Sequence, residues 1–481
     1  MNFKKLPILI LLFNLLFNCY NDGDDDLTSS KDINNFVWKG MNSWYFWQKD
    51  VPNLADDVDN NSTAYNELLN TFTDPEDFFK SLRFDYGETD RFSWFIEDYI
   101  AQLQAFQGIS KTFGFDFEAV RINDSDDVIL YVSYVANNSP AKSANIKRGD
   151  IINAIDDTVI NIDNFRDLVG RLSGDNVKLT FVAENNGVLD FIEDKSISAA
   201  IISENPVHFS TIFNDVAGRK VGYLVYTGFR SSYNDELNDA FEHFKNEGID
   251  ELILDLRLNG GGSVGTSAYL ASMIYADAGT DVFAELRYNA KHTNENDTYN
   301  FANTLNVFDD SGTKTGEQNI NRLNSINRLY VLTSENTASA SELIINGLRP
   351  FLYVKLFGTT TFGKNVGSTT LFDSPKSDYR DRRSANQSHL YAMQPIVFQS
   401  FNKDGESDYT QGFEPNVEIK EYLFWNNILP FGNENEVVLK AALDDIRGTI
   451  TKTIVPQNKS TINSKRLKTP SKKFETEMFV E

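Results

Sequence analysis

A serine surrounded by small residues stands where an apolar strand is expected to give way to a helix. This serine is Ser339, in the segment Thr337–Ile345 (TASASELII). Small neighbours let its hydroxyl and the next backbone N–H project into a cleft. The N-terminus of the helix offers unpaired N–H donors and a positive dipole end, which favour an anionic oxygen nearby. These residue types suit a reaction in which negative charge develops on an oxygen.

Two further segments could complete such a site. Lys364 follows Ser339 by 25 residues, within Thr361–Asn365 (TFGKN). A triple glycine, Gly260–Gly262, comes directly after a predicted strand in the string DLRLNGGG. Glycines there let the backbone approach a substrate without side-chain clash and expose its N–H groups. The three segments together supply a hydroxyl, an amine and backbone donors.

Each segment taken alone has a simpler structural interpretation. Ser339 and Glu342 form a Ser-x-x-Glu capping box, and most such serines only cap helices. Most lysines are solvated at the surface, and a glycine cluster is usually a turn. Only the combination indicates catalysis.

The rest of the composition argues against several other kinds of site. The four histidines show no HxxxH spacing and Cys19 is the only cysteine, so a His/Cys zinc site is not expected. No GxxxxGK[ST] string is present, so no P-loop is predicted. The formal net charge of −24 opposes general nucleic-acid binding. We therefore expect no metal, no cofactor and no nucleic-acid partner, while a Ser-His-Asp triad stays open on composition.

The strings DLRLNGGG, TASASE and FGK, at this serine-to-lysine spacing, resemble those of the carboxyl-terminal processing peptidases, or tail-specific proteases. The later string GFEP is similar to a GxxP segment near the end of that family's core, and the resemblance covers about 300 residues. It implies that Ser339 is the nucleophile and Lys364 the general base. It also implies an oxyanion hole formed by the Ala340 N–H and one glycine N–H, from Gly262 or Gly261.

The chemistry that the resemblance implies is coherent. A serine hydroxyl needs a base at neutral pH. A lysine can serve only if its pKa falls from about 10.4 towards roughly 7–8, as burial in an apolar pocket can achieve. The sequence departs from the family at Ser368, where many members have a glutamine that orients the lysine. Ser368 is the candidate orienting residue, and reduced or differently tuned activity is one expected consequence.

The elements that must position these residues follow an α/β pattern. Apolar strands are predicted at Val221–Tyr226, Glu251–Leu256 and Arg328–Thr333, with helices at Asp235–Asn246 and Ser267–Tyr275. Such alternation indicates a layered α/β architecture, and the resemblance implies a core of the crotonase or ClpP type.

Three further regions surround this core, which we place at residues 205–430. Aromatic residues at roughly helical spacing predict a small helical N-terminal domain at 34–107. A PDZ-like β domain is predicted at 108–200. A C-terminal extension at 431–481, basic from about residue 445 and without a clear apolar period, is expected to be partly mobile.

The PDZ-like prediction depends on one segment between short alternating strands. The string SPAKSANIKRGDII (139–152) resembles the PDZ domains of bacterial proteases. In such domains a backbone loop binds the C-terminal carboxylate of a ligand, which adds a strand to the edge of the sheet. The candidate loop is Phe113, Gly114 and Phe115, and the alternative is that Gly114 only marks a bulge or turn.

The start of the chain has the features of an export signal. Lys4 and Lys5 precede an apolar run, Leu6–Phe17, that is too short to span a bilayer. With Cys19 the segment resembles a bacterial lipoprotein signal, which implies a signal peptide (1–18), lipidation of Cys19 and an acidic tether (19–33). Since the residue before Cys19 is not the usual small one, an ordinary signal peptide with a chance cysteine is the alternative. The predicted location is the bacterial cell envelope, lipid-anchored to the outer membrane and either periplasmic or surface-exposed.

Together these observations predict a serine-type endopeptidase that uses a Ser-Lys dyad and an acyl-enzyme intermediate. Its expected partners are protein or peptide substrates, recognised through C-terminal ends and cleaved near C-terminal or unfolded segments. The membrane is contacted only through the lipid anchor. The alternative, motivated by Ser368, is a catalytically inactive, surface-anchored peptide-binding homologue.

Overall fold

The computed structural model describes residues 28–123, 125–309, 311–324, 326, 328–449, 462–469 and 476–480. The predicted signal peptide (1–18) and Cys19 lie outside these residues. Among the described residues, no helix combines the length and the apolar character needed to cross a membrane.

The N-terminal region is helical and packs against the core through aromatic side chains, which confirms the predicted helical domain. The side chain of Ser29 accepts a hydrogen bond from the Asp32 N–H and so caps the first helix. This helix begins inside the predicted tether (19–33), which is therefore shorter than predicted. The elements are α1 (Ser30–Trp44), α2 (Ser62–Leu69), α3 (Pro75–Ser81), β1 (Trp94–Ile96) and α4 (Tyr99–Phe106), with 3-10 turns at Gln48–Asp50, Pro52–Leu54 and Val58–Asn60.

Residues 109–203, hereafter the β domain, form an antiparallel sheet in the order β3-β4-β5-β7-β8, with β6 on β5. Every residue of β4 is buried, because this central strand is covered on both faces. Ser139 caps the short helix α5. The elements are β2 (Ile109–Thr112), β3 (Phe115–Ile122), β4 (Val128–Val135), α5 (Pro140–Ser143), β5 (Ile151–Ile155), β6 (Thr158–Val159), α6 (Phe165–Gly170), the 3-10 helix Arg171–Ser173, β7 (Asn176–Asn185), β8 (Val188–Ser198) and β9 (Ala200–Ser203).

The core begins with strands and helices that alternate along the chain, as predicted. The first part runs β10 (Val207–Val216), β11 (Arg219–Tyr226), the 3-10 helix Ser231–Tyr233, α7 (Asn234–Glu247), β12 (Glu251–Asp255), β13 (Gly262–Ser263), α8 (Val264–Ile274), β14 (Val282–Tyr288), the 3-10 helix Thr293–Glu295, β15 (Asp297–Asn300), β16 (Thr304–Phe308) and β17 (Lys314–Asn319). The second part runs β18 (Arg328–Thr333), α9 (Ala340–Leu348), β19 (Tyr353–Gly358), β20 (Val366–Ser368), β21 (Leu371–Phe372), the 3-10 helices Pro375–Ser377 and Arg382–Ser384, β22 (Ala392–Gln394), β23 (Ile396–Phe401), β24 (Val417–Glu418), the 3-10 segment Glu421–Asn427 and α10 (Val437–Ile446).

The main sheet of the core has the order β10-β11-β12-β18-β19-β24, and all pairs from β11 onward are parallel. One face packs against α8, α9 and the N-terminal region, and the other face packs against α10 and the β domain. This arrangement is the layered α/β fold that the sequence predicted. Because neighbouring parallel strands end at the same edge, the segments after β12, β18 and β19 meet there. These segments carry the glycine cluster, Ser339 and Lys364.

A second core sheet contains a strand from the far end of the chain. Its order is β13-β26-β20-β23-β14-β15, where β26 is Met478–Phe479. A further strand, β25 (Ser464–Leu467), pairs with β3 of the β domain. The strands at 464–467 and 478–479 show that parts of the C-terminal extension, which was predicted to be partly mobile, pack against the rest of the protein. The sequence hid them because each is too short for a periodic pattern.

Candidate active site

Ser339 occupies a strained turn between β18 and α9. Its backbone has φ 62° and ψ −115°, a combination that residues with a β-carbon rarely adopt. The residue is 0% exposed, and its Oγ has no hydrogen-bond partner among the described residues. A buried hydroxyl without a partner is uncommon unless it has a functional role. Ser339 therefore differs from a serine that only caps a helix.

The neighbouring serines have structural partners. Ser341 Oγ donates to the Asn259 carbonyl at 2.9 Å, and Ser334 Oγ donates to the Arg257 carbonyl. Ser263 lies in a Gly-x-Ser-x-Gly string, the pattern of a nucleophile elbow, but its Oγ accepts from the Thr266 N–H and caps α8. These contacts assign the three hydroxyls to packing and capping.

Glu342, one turn into α9, ties the Ser339 loop to the Lys364 loop. Its buried carboxylate accepts hydrogen bonds from the Ser339 N–H at 2.9 Å and the Lys364 N–H at 2.8 Å. The other oxygen accepts from Thr361 Oγ1 at 2.6 Å and the Gly363 N–H at 2.7 Å. Burial raises the pKa of Glu342, and these hydrogen bonds oppose the rise. The sequence showed Glu342 only as a helix-capping partner, so its positioning of both loops was missed.

The glycine cluster lies directly against Ser339. A β-carbon at Gly261 would lie 2.8 Å from Ser339 Cβ and 3.0 Å from the Ala340 nitrogen, and the φ of Gly261 is +117°. Only glycine fits this close approach. Asn259, which is buried, holds the cluster because its side chain accepts from the Gly261 N–H at 2.9 Å. The Gly261 amide is thus occupied within its own loop.

The Gly262 amide points towards a carbonyl oxygen. It donates to the backbone oxygen of Glu477 at 2.5 Å. A β-carbon at Gly261 would lie 2.2 Å from that same oxygen. A carbonyl group therefore lies beside Ser339 and is held by one of the two glycines that the resemblance proposed as oxyanion donors. Of these two, the geometry favours Gly262.

Lys364 is fully buried, and its amine contacts the C-terminal end of the described chain. Nζ donates to the Thr476 carbonyl at 2.6 Å and lies 3.5 Å from Glu477 Oε2. The ring of Phe92 lies 5.0 Å from Nζ. Burial lowers the pKa of Lys364, while the carboxylate of Glu477 opposes that change. The same burial raises the pKa of Glu477, against the opposing effect of Lys364.

Ser368, the candidate orienting residue, contacts Glu477, whose carboxylate faces the Lys364 amine. Its hydroxyl lies 3.2 Å from Glu477 Oε2 and 3.2 Å from the Met478 carbonyl, two alternative acceptors for one proton. It accepts from Gln394 Nε2 at 3.0 Å. A glutamine is therefore present beside Ser368, but it comes from β22. No pattern in the sequence predicted that Gln394 would lie there.

The predicted peptide loop of the β domain stands at the start of β3. Gly114 has φ +77°, and a β-carbon there would lie 2.1 Å from Ser139 Cβ. The Phe113 carbonyl accepts from the Ala141 N–H at 3.0 Å, which fixes the loop against α5. Phe113 and Phe115 are both buried. Gly114 therefore permits a close approach between the loop and the residue that caps α5.

A buried ionic network joins the β domain to the DLR string of the core. Arg257 donates to Asp255 Oδ2 at 2.7 Å, to Glu421 Oε1 at 2.8 Å and to Glu436 Oε1 at 3.0 Å. Arg148 of the β domain donates to the same oxygen of Glu421. Removing one member would leave an uncompensated buried charge. The DLR string is thus part of the domain connection, and it also leads into the glycine cluster.

Two protein-family models match this chain. The model of peptidase family S41 matches residues 220–419, and that of the peptidase S41 N-terminal domain matches residues 32–94. Together the two matches cover more than half of the chain. The crystal structure of a putative S41 protease from Bacteroides fragilis NCTC 9343 is similar, with a TM-score of 0.66 and 27% identity, and covers 86% of this chain and 98% of that one.

Two curated relatives are similar over a shorter part of their length. A probable CtpA-like serine protease of Staphylococcus aureus (strain N315) is 24% identical over 342 residues, which are 70% of this chain and 58% of that protein. The carboxy-terminal processing protease CtpA of Bacillus subtilis (strain 168) is 25% identical over 335 residues, 67% of this chain and 61% of that protein. The matches thus span less than two thirds of these relatives.

Proposed function

The chain belongs to peptidase family S41, and we propose that it is a serine endopeptidase that uses Ser339 and Lys364 as its catalytic dyad. The observation that carries the proposal is the buried, unpartnered Oγ of Ser339 in a strained turn. The fully buried amine of Lys364, in the loop tied to the same turn by Glu342, supplies the base.

The proposed reaction proceeds in two steps. Neutral Lys364 accepts the proton of Ser339 Oγ as that oxygen attacks the scissile carbonyl carbon and forms a tetrahedral intermediate. The N–H groups of Gly262 and Ala340 stabilise the oxyanion, each contributing about 3–4 kcal/mol by analogy with other acyl-transfer sites. Lys364 then protonates the leaving amine as the C–N bond breaks and the acyl-enzyme remains. Water, deprotonated by Lys364, releases the acyl group and restores the serine hydroxyl.

Burial of Lys364 is what makes this proton transfer feasible. A solvated lysine is charged at neutral pH and cannot accept a proton. Because burial lowers the pKa of Lys364, a neutral amine becomes accessible nearer to neutral pH. The later step, in which Lys364 protonates the leaving amine, needs the charged form of Lys364. A pKa close to the working pH serves both steps.

The competing function is a peptide-binding homologue without activity. One observation favours it: the amine of Lys364 donates to Thr476 and faces Glu477, and not Ser339. An amine held in this way is not available as a base. The two functions differ in whether the serine ever reacts.

The deciding experiment measures cleavage of an unfolded protein such as casein, and labelling by a fluorophosphonate, which reacts with activated serines. Residues 20–481, and a form ending at Asn463 that lacks the segment contacting Lys364, are each compared with Ser339→Ala and Lys364→Ala. Ser341→Ala serves as the matched serine control. We expect both dyad variants to lose at least about 10³-fold in rate, whereas Ser341→Ala keeps most of the activity. Equal cleavage by all variants would reject the dyad. Absence of both cleavage and labelling in the parent forms would favour the binding protein.

We infer that the β domain is PDZ-like and binds C-terminal ends of protein substrates. The Gly114 loop at the start of β3 and the strand that pairs with the outer edge of β3 support this inference. Binding of a C-terminal peptide library to the protein, with and without Gly114→Val, tests it. Loss of the glycine should remove binding because a β-carbon there meets Ser139. Unchanged binding would exclude this loop.

We further infer that a lipid on Cys19 holds the protein at the outer membrane of a bacterial cell envelope. The charged and apolar residues before Cys19, followed by acidic residues, support it. Labelling of the expressed protein with a radioactive fatty acid, compared with Cys19→Ser, tests it. Equal incorporation in both proteins would exclude Cys19 as the attachment point.

A further inference from the structure

The segment from Ser464 to Val480, hereafter the C-terminal segment, lies in two places where a peptide substrate would bind. We propose that it is an intramolecular competitive inhibitor that occupies the cleft beside Ser339 and the outer edge of β3. The proposal rests on the proposed peptidase function, since it describes how that same site is regulated. Residues 470–475, which join the two places, are outside the described residues.

Within the cleft, the segment forms the strand β26 between two strands of the core. Met478 pairs with Gly262 of β13, and Phe479 pairs with Ser263 of β13 and Ser368 of β20. The Val480 N–H donates to the Ser368 carbonyl at 3.3 Å. An extended peptide that adds a strand to exposed strand edges is a recurring mode of peptide recognition. Without residues 478–479, β13 and β20 would offer two edges facing one gap.

The segment also contacts the groups that the reaction needs. The Glu477 carbonyl accepts the hydrogen bond of Gly262, the proposed oxyanion donor. The Lys364 amine donates to the Thr476 carbonyl and faces the Glu477 carboxylate. The Glu477 carboxylate favours the charged form of this amine, which has no lone pair to accept the proton of Ser339. The segment thus blocks the cleft and engages the base.

Apolar contacts fix the segment in the cleft. Met478 is fully buried, and the ring of Phe479 stacks on the ring of Phe106 at 4.2 Å with an interplanar angle of 10°. Trp94 Nε1 donates to Glu477 Oε1 at 3.1 Å. Phe106 and Trp94 belong to the N-terminal region, so this region forms one wall of the cleft. The fit is that of a bound ligand and not of a loose chain end.

At the β domain, the segment pairs with β3 in the direction that a PDZ ligand would take. Strand β25 is antiparallel to β3, with Leu467 opposite Ala119 and Ser464 opposite Ile122. It therefore runs towards the Gly114 loop at the start of β3. Arg466 strengthens this pairing because its guanidinium donates to both oxygens of Glu118, at 2.5 and 3.0 Å. One segment thereby covers both proposed peptide-binding surfaces.

Deletion of the segment is the first test. Residues 20–463 and 20–481 are compared for cleavage of casein. We expect at least a tenfold faster rate for the shorter form. A peptide of residues 464–480, added to the shorter form, should raise KM without changing kcat. A peptide carrying Met478→Asp and Phe479→Asp should not inhibit.

Because deletion can impair folding, a point variant of the longer form provides a second test. Phe479→Asp removes the stacking on Phe106 and should also increase the rate of cleavage. Phe191→Asp is the matched control, since this phenylalanine of β8 is 66% exposed. Equal or slower cleavage by both 20–463 and Phe479→Asp would overturn the proposal. A slower rate would mean that the segment completes the site.

A binding measurement separates this proposal from the proposed function. Fluorescence anisotropy of a labelled 464–480 peptide with residues 20–463 carrying Ser339→Ala needs no catalysis. If the proposed function fails, no form cleaves casein while the peptide still binds. If the inhibitory role fails, the longer form cleaves casein and deletion does not increase its rate.

Discussion

The backbone of Ser339 offers a test that is independent of catalysis. With φ 62° and ψ −115°, the residue sits where a β-carbon is disfavoured. Ser339→Ala and Ser339→Gly both remove the hydroxyl, but only glycine also relieves the strain. Their difference in the free energy of unfolding therefore reports the strain stored in the backbone at Ser339.

The expected size follows from two opposing terms. A non-glycine residue in a sparsely populated region costs about 1–3 kcal/mol. Glycine in place of alanine costs about 0.5–1 kcal/mol through the entropy of the unfolded chain. We expect Ser339→Gly to be more stable than Ser339→Ala by roughly 0.5–2 kcal/mol. Urea unfolding of the two variants in the 20–481 form measures this stability difference as a shift in the urea concentration at the midpoint, with an unchanged m-value.

Ser341 is the matched control because it lies two residues further on, inside α9. Its hydroxyl bonds to the Asn259 carbonyl, so alanine and glycine again remove the same interaction. In the helix, glycine should be less stable than alanine by about 1 kcal/mol. The difference in unfolding free energy between the glycine and the alanine variant should therefore have opposite signs at Ser339 and Ser341. The same sign at both, or Ser339→Gly less stable than Ser339→Ala, would refute the strain argument.

Three further outcomes follow from contacts around the site. Glu342→Gln replaces one carboxylate oxygen that accepts two hydrogen bonds. Because each unsatisfied buried donor costs about 1–3 kcal/mol, we expect the unfolding free energy to fall by roughly 2–6 kcal/mol. Fluorophosphonate labelling should be lost as well. Stability equal to the parent would contradict this role. Glu477→Gln removes a charge that raises the pKa of Lys364. The rate of fluorophosphonate labelling should fall at low pH, where the amine is protonated, and in this variant that fall should move to lower pH. A move to higher pH would contradict the geometry. Gly363→Ala places a β-carbon 2.3 Å from a backbone oxygen, whereas Gly405→Ala, also at positive φ, meets nothing within 4 Å. The midpoint of thermal unfolding of the Gly363→Ala protein should therefore be well below that of the Gly405→Ala protein. Equal midpoints would argue against the close packing at Gly363.

The parallel strands were predictable because each is a short apolar run followed by a polar or glycine-rich segment. Val221–Tyr226 and Arg328–Thr333 lie within or match the strands β11 and β18. Their shared edge then follows from the geometry of parallel strands, which brings Ser339, the glycine cluster and Lys364 together. The predicted helix ends were less accurate and differ from the observed ends by one to three residues, since capping depends on local hydrogen bonds.

Contacts between distant parts of the chain were not predictable in this way. Glu342 bonds to the Lys364 loop, which the sequence did not place beside it, and Gln394 meets Ser368 from another sheet. The strands of the C-terminal segment could not be predicted either, because their pairing also depends on distant parts of the chain. A strand of two residues, Met478–Phe479, carries no periodic signal, and its position depends entirely on the edges of β13 and β20.

The backbone strain at Ser339 explains why contacts between distant parts of the chain matter to the proposed chemistry. A serine at φ 62° persists only if its neighbours hold it there. Glu342 does so by accepting the Ser339 N–H, and the same carboxylate accepts the N–H of Lys364. The backbones of Ser339 and Lys364, the proposed nucleophile and base, are therefore fixed relative to each other. On the proposed function, a peptide that enters the cleft would replace Thr476 and Glu477 as partners of the Lys364 amine, while the contacts of Glu342 keep both loops in place.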